Sequence, residues 1–187
     1  MRCLLNGILV GAVITCLASP LEAQEAVSPA APSPSPAAGY EIHVVAPHVV
    51  EGEERGPFHH YCKPISPEPV IQCLIFESTD PAAPMTQIEY MVAKSLTRST
   101  IPLEDWNRDW HDHAVEIAGG RVQVLDMPEA DAAKVAELAA TTDGLIFHLW
   151  PHGSKIPTGE VTIAQAVGHV ELSVEEYEDS ATPPAQE

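Results

Sequence analysis

This sequence predicts an α+β domain, with a mainly antiparallel sheet of about five strands and two principal helices. Three observations carry that expectation. Short β-branched or apolar runs recur at residues 40–46, 70–76, 87–94, 121–125 and 145–150, each of ordinary strand length. Two longer stretches, 102–118 and 128–140, show apolar residues at three- and four-residue steps or a high alanine content. Most strands precede the helices and the links are short, which favours antiparallel pairing.

In chain order, residues 40–46 are roughly alternating and form a first strand. Residues 47–57 read as a polar loop containing Gly52 and Gly56, and 59–65 as a short extended piece. Pro64, Pro67 and Pro69 then force a turn. The run 70–76 is almost wholly apolar and reads as a central strand; if it pairs with 59–65 as a hairpin, Cys62 and Cys73 face each other. After a Pro-flanked turn at 80–84, the strand 87–94 places Ile88, Tyr90 and Val92 on one face.

The first helix starts at Pro102, with Ser99 or Thr100 as N-cap and Glu104 and Asp105 complementing its positive end. Leu103, Trp106, Trp110, His113 or Ala114, and Ile117 form its stripe, and Gly119-Gly120 stops it. Residues 121–125 are a short strand and 128–140 the second helix, ended by Thr141 to Gly144. Residues 145–150 are apolar enough to lie centrally, and 157–167 close the domain in a mostly extended form.

The 187 residues divide into four regions. Residues 1–23 have a basic start, a mostly apolar centre from Leu4 to Leu17 and a break at Pro20, the pattern of a secretory signal cleaved near Ala23. Residues 24–39 form a Pro/Ala/Ser-rich tether expected to be disordered, 40–174 the folded domain, and 175–187 an acidic disordered tail. The apolar centre of the leader is shorter than the ~20 residues that span a bilayer, and Thr15 ahead of Cys16 disfavours a lipid anchor. The expected location is therefore periplasmic or secreted, with no stable membrane span in the mature chain. A formal net charge of -18, from 9 Lys+Arg against 27 Asp+Glu, excludes nucleic acid as a partner.

Cys3 and Cys16 leave with the leader, so the mature chain keeps Cys62 and Cys73. In an oxidising compartment these form one disulfide; the competing reading is a thiolate ligand beside His59 and His60.

Two imidazoles and a carboxylate fall within Trp110-His111-Asp112-His113-Ala114-Val115-Glu116. Neutral imidazole and carboxylate are the donors that borderline transition metals take, here Zn, Cu, Ni or Fe. On a helix His111 and His113 project about 200° apart, whereas His113 and Glu116 share a face; on a strand the two histidines share a face instead. The caps favour the helix. The candidate metal set is His59, His60, His111, His113, Glu116 and His148, the last on an apolar strand. The same histidines also fit a non-catalytic domain with a buried hydrogen-bond network around Trp106, Trp110 and Trp150; a third reading is a small molecule or lipid bound in a cleft lined by those tryptophans. Catalytic residues are not assigned, and whether the protein is an enzyme stays open: there is no Gly-x-Ser-x-Gly elbow, phosphate loop or dinucleotide fingerprint.

Five ordered blocks resemble the oil body-associated protein family: His59-His60-Tyr61-Cys62, Gln72-Cys73-Leu74-Ile75, Ile88-Glu89-Tyr90-Met91-Val92, Trp110 through Glu116, and Phe147-His148-Leu149-Trp150. The resemblance runs from about residue 41 to about 169 and implies membership of a family, with bacterial as well as plant members, whose biochemical activity is not assigned; the leader marks this chain as an exported bacterial member. Plant members are associated with lipid droplets. The leader and tether of this chain depart from that setting, and no long apolar hairpin or basic amphipathic helix is present to hold a droplet.

Overall fold

The computed structural model describes residues 35–181; the leader, Cys3, Cys16 and most of the tether lie outside the described residues. Within them the chain runs β1 (Ile42–Val50), β2 (Glu53–Ser66), β3 (Val70–Phe76), β4 (Met85–Ala93), α1 (Lys94–Thr100), α2 (Leu103–Asp109), β5 (His111–Asp112), α3 (His113–Ala118), β6 (Gln123–Leu125), α4 (Glu129–Ala140), β7 (Thr142–His148), β8 (Thr162–Ala166) and α5 (Val174–Ala181). The class and the antiparallel pairing are as expected, but the described residues hold eight strands where about five are expected and five helices where two are expected. The sheet also closes on itself. The order β2-β3-β4-β7-β8-β1, completed by β1 pairing with β2, makes a six-stranded antiparallel barrel.

Two features unforeseen in the sequence make closure work. Residues 47–57, expected as a loop, continue the first strand into a long hairpin. Pro47 sits in a register break between Ala46 and His48, opposite Gly56-Pro57, and strands accept proline at such irregularities. The turn is Glu51-Gly52, with φ of 54° and 80°. Two consecutive positive φ values are what a tight hairpin matched to strand twist requires, and glycine takes one at no steric cost. At the other end, Thr142 to Gly144, expected as a helix stop, already belong to β7.

The alternation along each strand decides what lies inside. Val44, Ala46, His48 and Val50 of β1 are buried, as are Phe58, His60 and Cys62 of β2, and Ile71, Cys73 and Ile75 of β3. In β4 the inward face is Gln87, Glu89, Met91 and Ala93. Ile146 and Ala164 complete an apolar floor. A barrel of this size is normally filled by apolar side chains; here the apolar filling gives way to histidines and a carboxylate partway along.

Outside the barrel, α1 and α2 flank a buried Trp106, whose ring lies 5.9 Å from that of Tyr177. Tyr177 belongs to α5, which forms where an unstructured tail is expected, and its hydroxyl donates to Ile101 O at 2.7 Å. Among the described residues no helix is long and apolar enough to cross a membrane.

Cys62 and Cys73 are directly opposed in the β2–β3 register and are joined as a disulfide. With a sequence separation of 11, the crosslink contributes roughly 2–3 kcal/mol by restricting the unfolded chain. Denaturant titration with and without reductant should show a loss of that size with an unchanged barrel circular dichroism spectrum; an unchanged midpoint would mean the bond is absent in solution.

Candidate metal centre inside the barrel

The seam between β7 and β1 is where the site is built. β8 bridges only half of it, pairing with β7 from Ile146 to His148 and with β1 at His48 and Val49. The other half is covered by β5 on β7 and by β6 on β1, with α3 spanning between them. The single helix expected over 102–118 is therefore broken at Trp110, which is extended at φ -106° and ψ 163°. The cause is the pull of Asp112 on the cations of α1. Its carboxylate accepts from Lys94 Nζ at 2.6 Å and Arg98 Nη2 at 2.8 Å. It also caps α3 by accepting from Ala114 N at 2.7 Å. His111 thus projects from a strand and His113 from the first turn of a helix, and their rings meet at 4.9 Å.

Glu89 is the centre of the cluster. His113 Nε2 donates to Glu89 Oε1 at 3.0 Å, and His111 Nε2 lies 3.2 Å from the same oxygen. His60 Nε2 approaches Glu89 Oε2 at 3.7 Å, and Glu116 Oε2 lies 3.8 Å from His111 Nε2. His60 Nε2 also meets His48 Nε2 at 3.0 Å, and Gln87 Oε1 is 2.9 Å from His48 Nδ1. One atom of each of Glu89, His111 and His113 falls within 4.8 Å of the others. Gly144 makes this approach sterically feasible. A Cβ there would stand 2.2 Å from His111 Nε2 and 2.7 Å from Glu89 Oε1.

Burial and mutual charge set the protons. Burial pushes Glu89 up, but the hydrogen bonds from His111 and His113 outweigh it and hold the carboxyl well below its ordinary value. Burial lowers His113, yet its hydrogen bond and charge interaction with Glu89 win and raise it to about 8. His48 is lowered to about 3, by burial first and by His60 second, and burial also lowers His60. Glu116 is raised, chiefly by burial. Both ring nitrogens of His113 have oxygen partners that favour its protonated form, Nε2 at Glu89 and Nδ1 at Thr142 O (3.2 Å) and Thr142 Oγ1 (2.9 Å).

Of the residues singled out in the sequence, His60, His111, His113 and Glu116 come together. His59 and His148 do not. His59 lies on the outer face, 3.0 Å from His43 Nε2, while His43 Nδ1 donates to Asp126 Oδ2 at 2.6 Å. His148 is buried beside Thr162 Oγ1 at 3.4 Å, at the end of β7 away from β5. The tryptophans stay out as well: Trp106 Nε1 donates to Asp143 and Trp150 Nε1 to Ser154 O. Sequence reasoning missed Glu89, His48, Gln87 and Gly144. A signal for Glu89 existed, since antiparallel pairing sets it opposite Cys73, whose disulfide faces inward.

The fold and cluster thus define a small antiparallel barrel with a carboxylate ringed by imidazoles at its centre. The chain belongs to the family described as "Protein of unknown function (DUF1264)", whose model matches residues 34–181. It is 33% identical over 111 residues to oil body-associated protein 1B of Arabidopsis thaliana, covering 58% of this chain and 45% of that one. It is 32% identical over 103 residues to oil body-associated protein 2C of the same plant, covering 54% of this chain and 42% of the relative. Oil body-associated protein 2B of Zea mays is 31% identical over 104 residues, 54% of this chain and 40% of the relative. The chain spans less than half the length of these curated relatives. No solved structure matches it.

Two limbs of pH dependence follow for the metal-free protein. With His113 raised from 6.5 to about 8, about 2 kcal/mol is present below pH 6.5 and lost as pH rises through 8. With His48 lowered from 6.5 to about 3, the unfolded ring takes a proton that the folded ring refuses, so stability falls as pH drops across that window. The thermal midpoint should decline on both sides of pH 6.5. His113→Asn should flatten the alkaline limb, and His48→Asn should make the acid limb shallower without removing it, since His60, His148 and His169 are lowered too; limbs unchanged in those variants would overturn the assignment.

Proposed function

We propose that this barrel holds one divalent transition ion on Glu89, His111 and His113, with His60 and Glu116 flanking it, in a protein exported to an oxidising compartment. The observation that supports the reading is the convergence of two imidazole nitrogens, at 3.0 and 3.2 Å, on one carboxylate oxygen. Donors bound to one ion at ~2.1 Å lie roughly 3.0–3.4 Å apart, so little movement separates the hydrogen-bonded cluster from a ligand set. The proton that His113 Nε2 gives to Glu89 stands where the ion would replace it. Its Nδ1 is meanwhile held by Thr142, the outer contact that directs a histidine's other nitrogen at a metal.

Two histidines and one carboxylate suit Zn, Fe, Ni or Cu and leave coordination positions for water or a ligand. The metal would supply Lewis acidity there; the chain supplies a dry, shaped surround. Export is supported by the leader-like residues 1–23 and by the Cys62–Cys73 disulfide. The plant relatives are named for association with oil bodies. Neither the −18 charge nor the helices among the described residues favour a lipid surface, so that role is not proposed for it.

A second reading has its own support: with Glu89 ionised and His113 protonated, the cluster is charge-matched without an ion. It would then be a structural polar core. Elemental analysis of protein purified without a histidine tag separates the two. The metal reading expects about one equivalent, with affinity lowered at least a hundredfold in His113→Ala and Glu89→Gln. Metal-free wild type that takes up no ion on dialysis against zinc or iron would leave the structural reading in possession.

A further inference from the structure

Over the cluster lies a cavity of about 40 Å³ that is polar at one end only. Glu89, Glu116 and the rings of His48, His60 and His113 make its floor; Val44, Ile71 and Met91 wall it, and Ile117, Val135 and Leu138 roof it. A largely aliphatic chamber ending in a few convergent polar atoms fits a ligand with one polar end. At roughly 10–15 Å³ of such space per water-sized group, the chamber takes about three or four heavy atoms.

Charge selects the head. Glu89 and Glu116 together match the formal charge of a divalent ion, and the aliphatic walls offer nothing to neutralise a further anion. We propose that the chamber binds a short aliphatic molecule with a neutral oxygen head, of the class of the small primary alcohols, its oxygen on the metal and its tail under α4. This deepens the metal reading and rests on it.

The roof sets the length limit. α4 presents alanines at 136 and 139 to the chamber, and Leu138 is 39% exposed, so the cover is one side chain thick.

The test is calorimetric titration of the zinc-loaded protein with 1-alkanols from methanol to hexanol, with metal content measured on the same samples. Affinity should rise about fourfold per methylene until the chamber is filled near ethanol or propanol, then level off. Carboxylates of equal length should bind more weakly. Ala136→Phe should abolish the rise, and Leu138→Ala should move the plateau to longer chains, both with metal content unchanged. Zinc-loaded protein that ignores alkanols, shows no length dependence, prefers carboxylates, or keeps the same plateau in both variants would overturn the proposal. Should the protein take no metal, the metal reading falls by itself. Length-dependent alkanol binding to the metal-free protein would then still uphold the chamber, and its absence would end it.

Discussion

The buried carboxylate of Asp143 is the constraint on which the rest depends. It has no exposed surface, and it accepts from Thr97 Oγ1 at 2.5 Å, Arg98 Nε at 3.0 Å, Arg98 Nη2 at 2.7 Å and Trp106 Nε1 at 3.0 Å. Four donors offset the cost of holding a charge out of water; leaving Arg98 without this partner would cost on the order of 3–5 kcal/mol. The pair does more than stabilise. Arg98 reaches on to Asp112, so one guanidinium ties α1 to both β5 and β7. The residues on either side of Asp143 then serve the cluster directly. Thr142 anchors His113, and Gly144 leaves room for His111 against Glu89.

Seen this way, the barrel is a frame with a polar plug in it. Six strands close around an apolar floor, and the half of the seam that β8 does not reach is filled by the β5–α3–β6 segment. That segment delivers His111, His113 and Glu116 into the interior, while β2 and β4 deliver His60 and Glu89. A core made only for stability would gain from apolar residues at these positions, since buried charges often break even at best against a well-packed hydrophobic set. Local rules are broken in natural proteins mostly where function asks for it. The cluster's companion is an aliphatic chamber, and the two share Glu89, His60 and His113.

Much of this was legible in the sequence. The strands at 40–46, 70–76 and 87–94 follow from β-branching and alternation, the opposed cysteines follow from the hairpin, and α4 follows from its alanine-rich run. Closure was not legible, because it depends on Pro47 and Pro57 meeting at one irregularity and on a turn set by Glu51 and Gly52. The break at Trp110 was hidden too. Leu103, Trp106, Trp110 and Ile117 keep helical spacing, and only the tertiary ion pairs of Asp112 override it. In β4 the alternation was visible, but the apolar face of Ile88, Tyr90 and Val92 is the outer one, and the carboxylate lies on the opposite, inward face. His148 drew attention because it sits on an apolar strand, yet it lies beside Thr162, away from His111 and His113.

Anomalous diffraction from crystals soaked in a zinc or iron salt, recorded on both sides of the metal absorption edge, addresses the central claim most directly. The account requires a single strong peak inside the barrel, about 2.0–2.2 Å from a Glu89 oxygen and from Nε2 of His111 and His113. A peak at the outer His43–His59 pair, one beside His148, or none within the barrel would contradict it.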